Sequence, residues 1–366
     1  MTSKKINVVY LTQVPGPYRE RMHEILANEA SIFYSVIYCA KLEPNRDWEL
    51  TYGDYNKYFL AGKSKTFRHN NPSVWKLMNK LKPDALIISA FKPTMLYAII
   101  WCLLNGGKII VYNDGTLESE RNFSKIQKFI RKIVFKKAHA FVAPGKGSMD
   151  LYRSYEVPEQ KMFRSCLCID NSKFINTDLD QREYHIMFAG QIVQRKMPLF
   201  FVEVAKQIKR LIPELKILIV GDGDQREEML SELIKNKLDY TFAGFVDQDV
   251  LPSLYSKAKL FLFPTLNDPW GVVANEACAS GTAVIISPVA GAANDLIVHG
   301  ENGYVLSTDP KLWAEHIVNL LKDEELLSTF SKNALKIVQK FNHHQSANGI
   351  MESIEYALPQ LALKRS

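Results

Sequence analysis

A segment in the second half of the chain, residues 267–281 (NDPWGVVANEACASG), has residue types suited to binding an anion. Proline followed by small and apolar residues predicts a helix that begins near Pro269 and is capped by the glycine at 281. The first N–H groups of a helix lack intrahelical partners and carry partial positive charge. Because Gly271 cannot block close approach, the amides of Gly271, Val272 and Val273 form a candidate diphosphate site.

Two carboxylates, Asp268 and Glu276, flank this site and lie eight residues apart. On a helix that spacing gives a rise of about 12 Å, so the two groups cannot share a proton but could hold two ends of one long ligand. Each also has a purely structural interpretation. An Asp before proline is typical of a helix N-cap, and Glu276 could be a solvated carboxylate.

Two adjacent cations, Arg195 and Lys196, follow an apolar run that ends at Gly190. The run predicts a strand, and a helix is predicted to begin after Pro198. Ligands of parallel α/β sheets bind at the carboxyl ends of the strands, so these cations are candidates for phosphate binding. A solvated surface pair is the structural alternative.

The apolar pattern predicts the scaffold that would hold these residues. Ten apolar runs predict strands, five before residue 150 and five after residue 180, with helix-period segments between them. Strands rich in Val, Ile and Leu indicate parallel sheets covered on both faces. We therefore expect two doubly wound, Rossmann-like α/β domains, 1–172 and 173–342, joined by a polar linker at 170–184. The helix-period tail, 343–366, could pack on either domain.

The composition excludes several classes of protein. A hydrophobic fraction of 47% with 23% charged residues is incompatible with wholesale disorder, and five cysteines are too few for a disulfide scaffold. The first apolar run is short for a signal peptide, and the most apolar stretch, residues 95–104, is about half the length of a membrane span. We expect a cytoplasmic protein, with the inner face of the cytoplasmic membrane as a candidate location.

Positive charge is concentrated in the N-terminal half, where residues 1–170 carry 26 Lys+Arg against 15 Asp+Glu and residues 171–366 carry 20 against 24. Part of this excess lies in a predicted amphipathic helix, 123–137. We expect its apolar face to cover the sheet and its basic face to attract anionic lipid; merely solvated lysines or a bilayer-inserted helix are the alternatives. No motif for nucleic-acid recognition is present, so no nucleic-acid partner is expected. The apolar positions are Phe123, Ile126, Phe129, Ile130, Ile133 and Val134, and the basic ones are Lys125, Lys128, Arg131, Lys132, Lys136 and Lys137.

Five stretches of the sequence, taken in order, resemble the family-4 glycosyltransferases of GT-B fold, of the type that builds bacterial cell-surface polysaccharides. They are FAGQIVQRKMP, ILIVGDGDQREEM, FAGFV, KLFLFPTLNDPWGVVANEACASGTAVIIS and HGENGYVL, which span residues 186–306 almost continuously. Over residues 1–165 the similarity is mainly one of architecture. The resemblance implies two domains facing across a cleft and transfer of a sugar, with retention of configuration, from a nucleotide diphosphate sugar to an acceptor hydroxyl.

The resemblance also implies roles for individual residues. Glu276 would accept hydrogen bonds from the ribose, Asp268 would reach the donor sugar, and Lys196 would bind the diphosphate. Asp268 stands where the family has Glu, and Gln191 stands where it usually has Arg, a loss that the neighbouring Arg195 could offset. The remaining residues implied in donor binding are Gly190, Gly271, Val272, Val273, and Phe245 in the segment that reads the base.

In the N-terminal half, the loop after the first strand lacks the GxGxxG of a dinucleotide-binding unit, which argues against an NAD enzyme. The resemblance places Gly16 of this loop near phosphate or acceptor, and Tyr18 and Arg19 are candidates for acceptor binding. Asp114, in the loop where many family members have a histidine, is a third catalytic candidate beside Lys196 and Asp268. A turn-forming Asp-Gly is the structural alternative for Asp114.

Together these observations predict a retaining, metal-independent hexosyl- or N-acetylhexosaminyltransferase that needs no cofactor. Its donor would be a nucleotide sugar, and its acceptor a glycan or lipid-linked glycan such as a lipopolysaccharide precursor. A GT-B-like nucleotide-sugar epimerase and a non-catalytic nucleotide-sugar- or glycan-binding relative are the alternatives. Three D-x-D motifs, at 178–180, 222–224 and 247–249, lie in the linker or in turns, and none is predicted to bind a metal.

Overall fold

The chain forms two compact units, Met1–Cys168 with His343–Ser366, and Ile169–Asn342. The structure, a computed structural model, describes residues 5–42, 52–62, 68–174 and 178–359. Residues 175–177 of the predicted linker and 360–366 of the predicted tail lie outside the described residues. The first unit therefore ends four residues before the boundary drawn from the sequence, and the C-terminal helix belongs to it.

The N-terminal unit is built on a seven-stranded parallel sheet of order β3-β2-β1-β4-β5-β6-β7. Its elements are β1 (Ile6–Thr12), α1 (Pro17–Ala27), β2 (Ile32–Tyr38), β3 (Asn56–Phe59), α2 (Val74–Leu81), β4 (Ala85–Ile88), α3 (Pro93–Asn105), β5 (Lys108–Tyr112), α4 (Lys125–Lys137), β6 (Ala140–Ala143), α5 (Lys146–Ser154), β7 (Met162–Arg164) and the C-terminal α12 (His343–Ala357).

The C-terminal unit contains a six-stranded parallel sheet of order β10-β9-β8-β11-β12-β13. Its elements are β8 (Tyr184–Ala189), α6 (Pro198–Lys209), β9 (Lys216–Val220), α7 (Arg226–Lys235), β10 (Asp239–Gly244), α8 (Leu251–Tyr255), β11 (Ala258–Phe263), α9 (Val272–Ala279), β12 (Ala283–Ile286), β13 (Gly303–Val305), α10 (Pro310–Lys322) and α11 (Glu324–Val338). Two parallel sheets of this kind confirm the predicted pair of Rossmann-like domains.

Both faces of the N-terminal sheet are covered, as the apolar strands predict. Alternate residues of β1 point to opposite faces, with Val8 in one core and Val9 in the other. Helices α1 and α12 cover the first face, and α2 to α5 cover the second. Where α12 crosses β7, Gly349 lies so close to the backbone that an added Cβ would stand 1.7 Å from the Arg164 oxygen. The glycine thus permits the tail to pack on this unit.

Candidate functional site

The two predicted cations of the C-terminal unit meet one carboxylate at the carboxyl edge of the sheet. Lys196 Nζ lies 2.6 Å from Asp268 Oδ2, and Arg195 Nη1 lies 2.8 Å from the same oxygen. Lys196 is buried and its ammonium stands 4.3 Å from the centre of the Phe263 ring, whereas Arg195 is exposed. Lys196 is therefore a buried cation held by an ion pair, and its interpretation as a solvated surface cation is wrong.

Backbone packing fixes the loop that carries these cations. The N–H of Ile192 donates to the Asp222 oxygen, and a Cβ on Gly221, whose φ is 123°, would stand 1.9 Å from the Gly190 oxygen. Only glycine fits there. After Lys196, Met197 adopts a left-handed conformation with φ 51°, a strained backbone for a residue with a side chain.

The helix predicted to begin near Pro269 begins three residues later, at Val272. Its N-cap is Gly271, with φ 90° and no side-chain cap, and an added Cβ would stand 2.2 Å from Phe263 Cε1. Asp268 is therefore not the N-cap, although its Oδ1 accepts a hydrogen bond from the Trp270 N–H at 3.2 Å. The 12 Å helical separation of Asp268 and Glu276 does not apply, because Asp268 precedes the helix.

Glu276, on the second turn of α9, lies within electrostatic reach of the same ammonium. It is half-buried, and its Oε2 accepts a hydrogen bond of 2.8 Å from the Tyr255 hydroxyl. Its carboxylate is therefore fixed by a hydrogen bond and is not freely solvated. Sequence reasoning missed both Tyr255 and Phe263, which contribute no motif of their own and act by holding Glu276 and Lys196.

Burial and charge compete at this cluster. Burial lowers the pKa of Lys196, and the Asp268 and Glu276 carboxylates oppose that shift. Burial acts to raise the pKa of Asp268, but Lys196 and Arg195 outweigh it and leave this pKa below its usual value. Burial raises the pKa of Glu276, against the Tyr255 hydrogen bond and Lys196. The cluster holds positive charge beside the first turn of α9, where an anion is stabilised.

The other residues implied in donor binding lie around this edge of the sheet. Gly190 ends β8 with φ 127°, and the side chain of Gln191 is exposed. Val272 and Val273, in the first turn of α9, are half-buried rather than core residues. Phe245 directly follows β10 and is 79% exposed. An aromatic ring so exposed at a strand end is available for stacking on a planar group.

The N-terminal unit brings its own candidates together at the carboxyl edge of its sheet. Arg19, in the first turn of α1, donates to the Tyr10 hydroxyl at 2.5 Å and stands 4.4 Å from the centre of the Tyr112 ring. Asp114 follows β5 and interacts electrostatically with Arg19. Burial raises the pKa of Tyr10 to about 12 despite the nearby guanidinium. Arg19 is thus held in place rather than merely solvated, and the sequence did not single out Tyr10 or Tyr112.

Gly16 and Tyr18 flank Arg19 in the same loop. Gly16 is buried, its carbonyl accepts the Arg19 N–H at 2.9 Å, and a Cβ on it would stand 3.1 Å from Tyr18 Cζ.

Among the described residues no group of three or more His, Cys, Asp or Glu side chains is arranged to hold a metal ion. Within those same residues, no helix is long and apolar enough to cross a membrane.

The predicted orientation of α4 is wrong in part: Val134 and Ile130 pack on the core as expected, but three other residues of the predicted inward face point outward. Arg131, Val134 and Phe135 are buried, whereas Ile126, Phe129 and Ile133, which were expected to cover the sheet, are exposed by 71%, 63% and 48%. The reason is an ion pair beneath the helix: Arg131 Nε lies 2.8 Å from Glu120. The guanidinium also stands 4.5 Å from the centres of the Phe91 and Phe123 rings. A buried charge pair thus takes the inward position that apolar periodicity assigned to other residues.

Comparison with known proteins gives a family match for the C-terminal unit and a fold match for the chain. Residues 170–337 match the family described as "Glycosyl transferases group 1". The crystal structure of the Anabaena protein Alr3699/HepE in complex with UDP superposes with a TM-score of 0.76 at 15% identity, covering 96% of this chain and 100% of that one. That likeness confirms the GT-B fold.

Two curated relatives match over 185 residues each. The uncharacterized glycosyltransferase MJ1607 of Methanocaldococcus jannaschii is 29% identical, over 49% of this chain and 46% of its own length. The D-inositol 3-phosphate glycosyltransferase of Salinispora arenicola is 28% identical, over 48% of this chain and 41% of its own. The match therefore spans less than half the length of these relatives. The region that matches the family model lies within the unit that holds Lys196, Asp268 and Glu276.

Proposed function

We propose that this protein is a glycosyltransferase that moves a hexosyl or N-acetylhexosaminyl group from a nucleotide diphosphate sugar to the hydroxyl of a glycan or lipid-linked acceptor. The observation that carries the proposal is the cluster of Lys196, Arg195, Asp268 and Glu276 beside the uncapped first turn of α9. Such a turn and two cations suit a diphosphate, and two carboxylates suit the hydroxyls of ribose and sugar. The UDP bound by Alr3699/HepE is a ligand of this class.

The chemistry assigned to the cluster is stabilisation of a leaving group. The bond between the anomeric carbon and the phosphate oxygen breaks with its electron pair passing to the diphosphate. The acceptor oxygen bonds to the same carbon and passes its proton to the departing phosphate oxygen. Lys196 and the α9 amides would face the negative charge that develops on the departing diphosphate, which is where preorganised donors lower a barrier most. Retention of configuration and independence of metal ions belong to this proposal.

Asp268 has a second part in the proposal. Without ligand, its carboxylate neutralises Lys196 and Arg195 at 2.6 and 2.8 Å. A bound diphosphate would supply the counter-charge for both cations, which leaves Asp268 available to accept hydrogen bonds from donor-sugar hydroxyls. The cluster would thus exchange an internal anion for the anion of the donor. In the N-terminal unit, Tyr18 and Arg19 are the proposed acceptor-binding residues, and Asp114 is the proposed catalytic residue.

The test combines a panel of nucleotide sugars with a membrane lipid extract and follows nucleotide diphosphate release, with and without EDTA. We expect acceptor-dependent release that EDTA leaves unchanged, and loss of nucleotide binding in Glu276→Gln. Glu227→Gln is the matched control, because Glu227 is 90% exposed on α7 of the same unit. Isomerised donor would indicate an epimerase instead, and binding without turnover in the presence of every acceptor would indicate a non-catalytic protein.

A further inference from the structure

Helix α4 presents an exposed apolar row beside an exposed basic row. Ile126, Phe129 and Ile133 follow each other at the helical spacing i, i+3, i+7 and point away from the core. Lys125, Lys128, Lys132 and Lys136 repeat the same spacing one residue earlier, which places them about 100° around the helix. The segment 125–137 contains five lysines and one arginine but no acidic residue.

The outward orientation of this face is enforced from within. Arg131 is paired with Glu120, and Val134 and Phe135 fill the second core of the sheet. Turning the helix to bury Ile126, Phe129 and Ile133 would expose Val134 and Phe135 and break the ion pair. Three large apolar side chains are therefore left exposed, although removing each of them from water would be favourable.

A groove beside the helix extends the apolar and basic character of this face. It has a volume of about 420 Å³ and lies between α4, the segment before it and α5. Leu117, which is 53% exposed, and Phe129 supply apolar lining, while Arg121, Lys128 and Lys132 supply positive charge. Apolar and cationic groups thus share one surface rather than two.

We propose that this α4 surface docks on the interface of an anionic lipid bilayer, with Ile126, Phe129 and Ile133 inserted among the acyl chains and the lysine row against the headgroups. Charge complementarity identifies the occupant, because exposed apolar side chains beside a row of lysines, on a helix without acidic residues, match an anionic lipid surface. Long lysine side chains can keep their ammonium groups at headgroup level while the neighbouring apolar residues go deeper.

The docking surface is joined to the proposed acceptor loop. Glu120, which pairs with Arg131 of α4, also accepts a hydrogen bond of 3.3 Å from Asn113 Nδ2, next to Asp114. A bilayer held by α4 would therefore be close along the chain to the loop that receives a lipid-linked acceptor, a consequence that rests on the proposed function. Docking itself needs no donor, so the two proposals can fail separately.

The experiment places a probe on the apolar row. All five native cysteines are buried, so an environment-sensitive fluorophore can be attached selectively to Phe129→Cys. Ile234→Cys is the matched control, because Ile234 is 65% exposed on α7 of the other unit, outside the basic surface of α4. With vesicles of phosphatidylglycerol and phosphatidylcholine and no nucleotide sugar, we expect a blue shift and quenching by lipid-borne quenchers at Phe129→Cys only. Equal responses at both positions, or none at Phe129→Cys, would overturn the proposal.

Sedimentation with the same vesicles tests the lysine row. Changing Lys125, Lys128 and Lys132 to Gln should lower the partition coefficient by about 100-fold. The triple variant Lys322, Lys332 and Lys340 to Gln removes the same charge from exposed positions of the C-terminal unit and should change partition by less than about threefold. Equal losses in the two triples would show general electrostatic attraction and sink the assignment to α4.

Discussion

The two units use positive charge in opposite ways. Lys196 of the C-terminal unit is buried against Asp268 and Phe263, and these two contacts fix the position of its ammonium group. The lysines of α4 are exposed on the helix surface. A buried, paired cation can recognise one atom of one ligand, whereas an exposed row acts through summed attraction that salt screens within about 10 Å.

His23 shows what happens to a buried basic side chain that pairs with a hydroxyl instead of a carboxylate. His23 of α1 is buried beside Tyr34, whose hydroxyl lies 2.8 Å from Nδ1, and beside the cation Arg19. Burial and the Arg19 charge lower its pKa from 6.5 to about 3, so the ring is neutral near pH 7. Arg131 and Lys196, by contrast, each pair with a carboxylate.

The largest effect on stability is expected at two neighbouring cations of α4, of which one is buried and the other is exposed. Arg131→Met leaves Glu120 as an unpaired buried carboxylate, which should destabilise the N-terminal unit by about 3–5 kcal/mol. Lys132→Met, at the adjacent exposed position, should change stability by less than about 0.5 kcal/mol. Hydrogen exchange of the amides of β5 and β6 would measure both, because these strands belong only to that unit.

A double variant separates the loss of the pair from the loss of packing. If the unpaired Glu120 causes the destabilisation, adding Glu120→Leu to Arg131→Met should recover a large part of it, since an apolar replacement of a buried pair is often neutral. Similar stabilities for Arg131→Met and Lys132→Met would instead contradict the distinction between buried and exposed cations.

The next effect concerns turnover in the C-terminal unit. Lys196→Met keeps the apolar contact with Phe263 but removes the charge proposed to face the diphosphate. Turnover should fall by about 10²–10³-fold, the range found when one preorganised donor of an active site is lost. Steady-state kinetics should show the loss mainly in kcat. Lys206→Met, on α6 where Lys206 pairs with Glu203, is the control. Unchanged kcat in Lys196→Met would refute the assigned role.

Much of the scaffold could be predicted from sequence because its central strands are buried apolar runs. All ten predicted strands are present, but β3, β7 and β13 were missed. These three have only three or four residues and lie at sheet edges, where burial on both faces is incomplete and the apolar signal is correspondingly weak. Lys196 and Glu276 could be found because their neighbours form recognisable motifs.

The orientation of α4 and the start of α9 could not be predicted, for a common reason. Both depend on contacts with residues that lie outside the helix concerned: Arg131 with Glu120 and Phe91, and Gly271 with Phe263. Helical periodicity identifies an apolar face but not whether the fold turns it inward. A proline marks where a helix is allowed to begin, and here the close approach of Phe263 places the cap at Gly271 instead.

The smallest effect expected is the contribution of His23 to the pH dependence of folding stability. It tests whether a basic side chain buried without a carboxylate partner stays neutral. The folded pKa of about 3 lies below the ordinary value of 6.5, so between these values the unfolded chain binds more protons and stability falls as pH falls. Between pH 6 and pH 5 this should cost about 1 kcal/mol. His23→Gln should remove that increment, while His344→Gln, at an exposed position of α12, should retain it. Denaturant unfolding at both pH values measures the difference, and an identical acid sensitivity in His23→Gln and the parent protein would show that His23 is charged in the folded state after all.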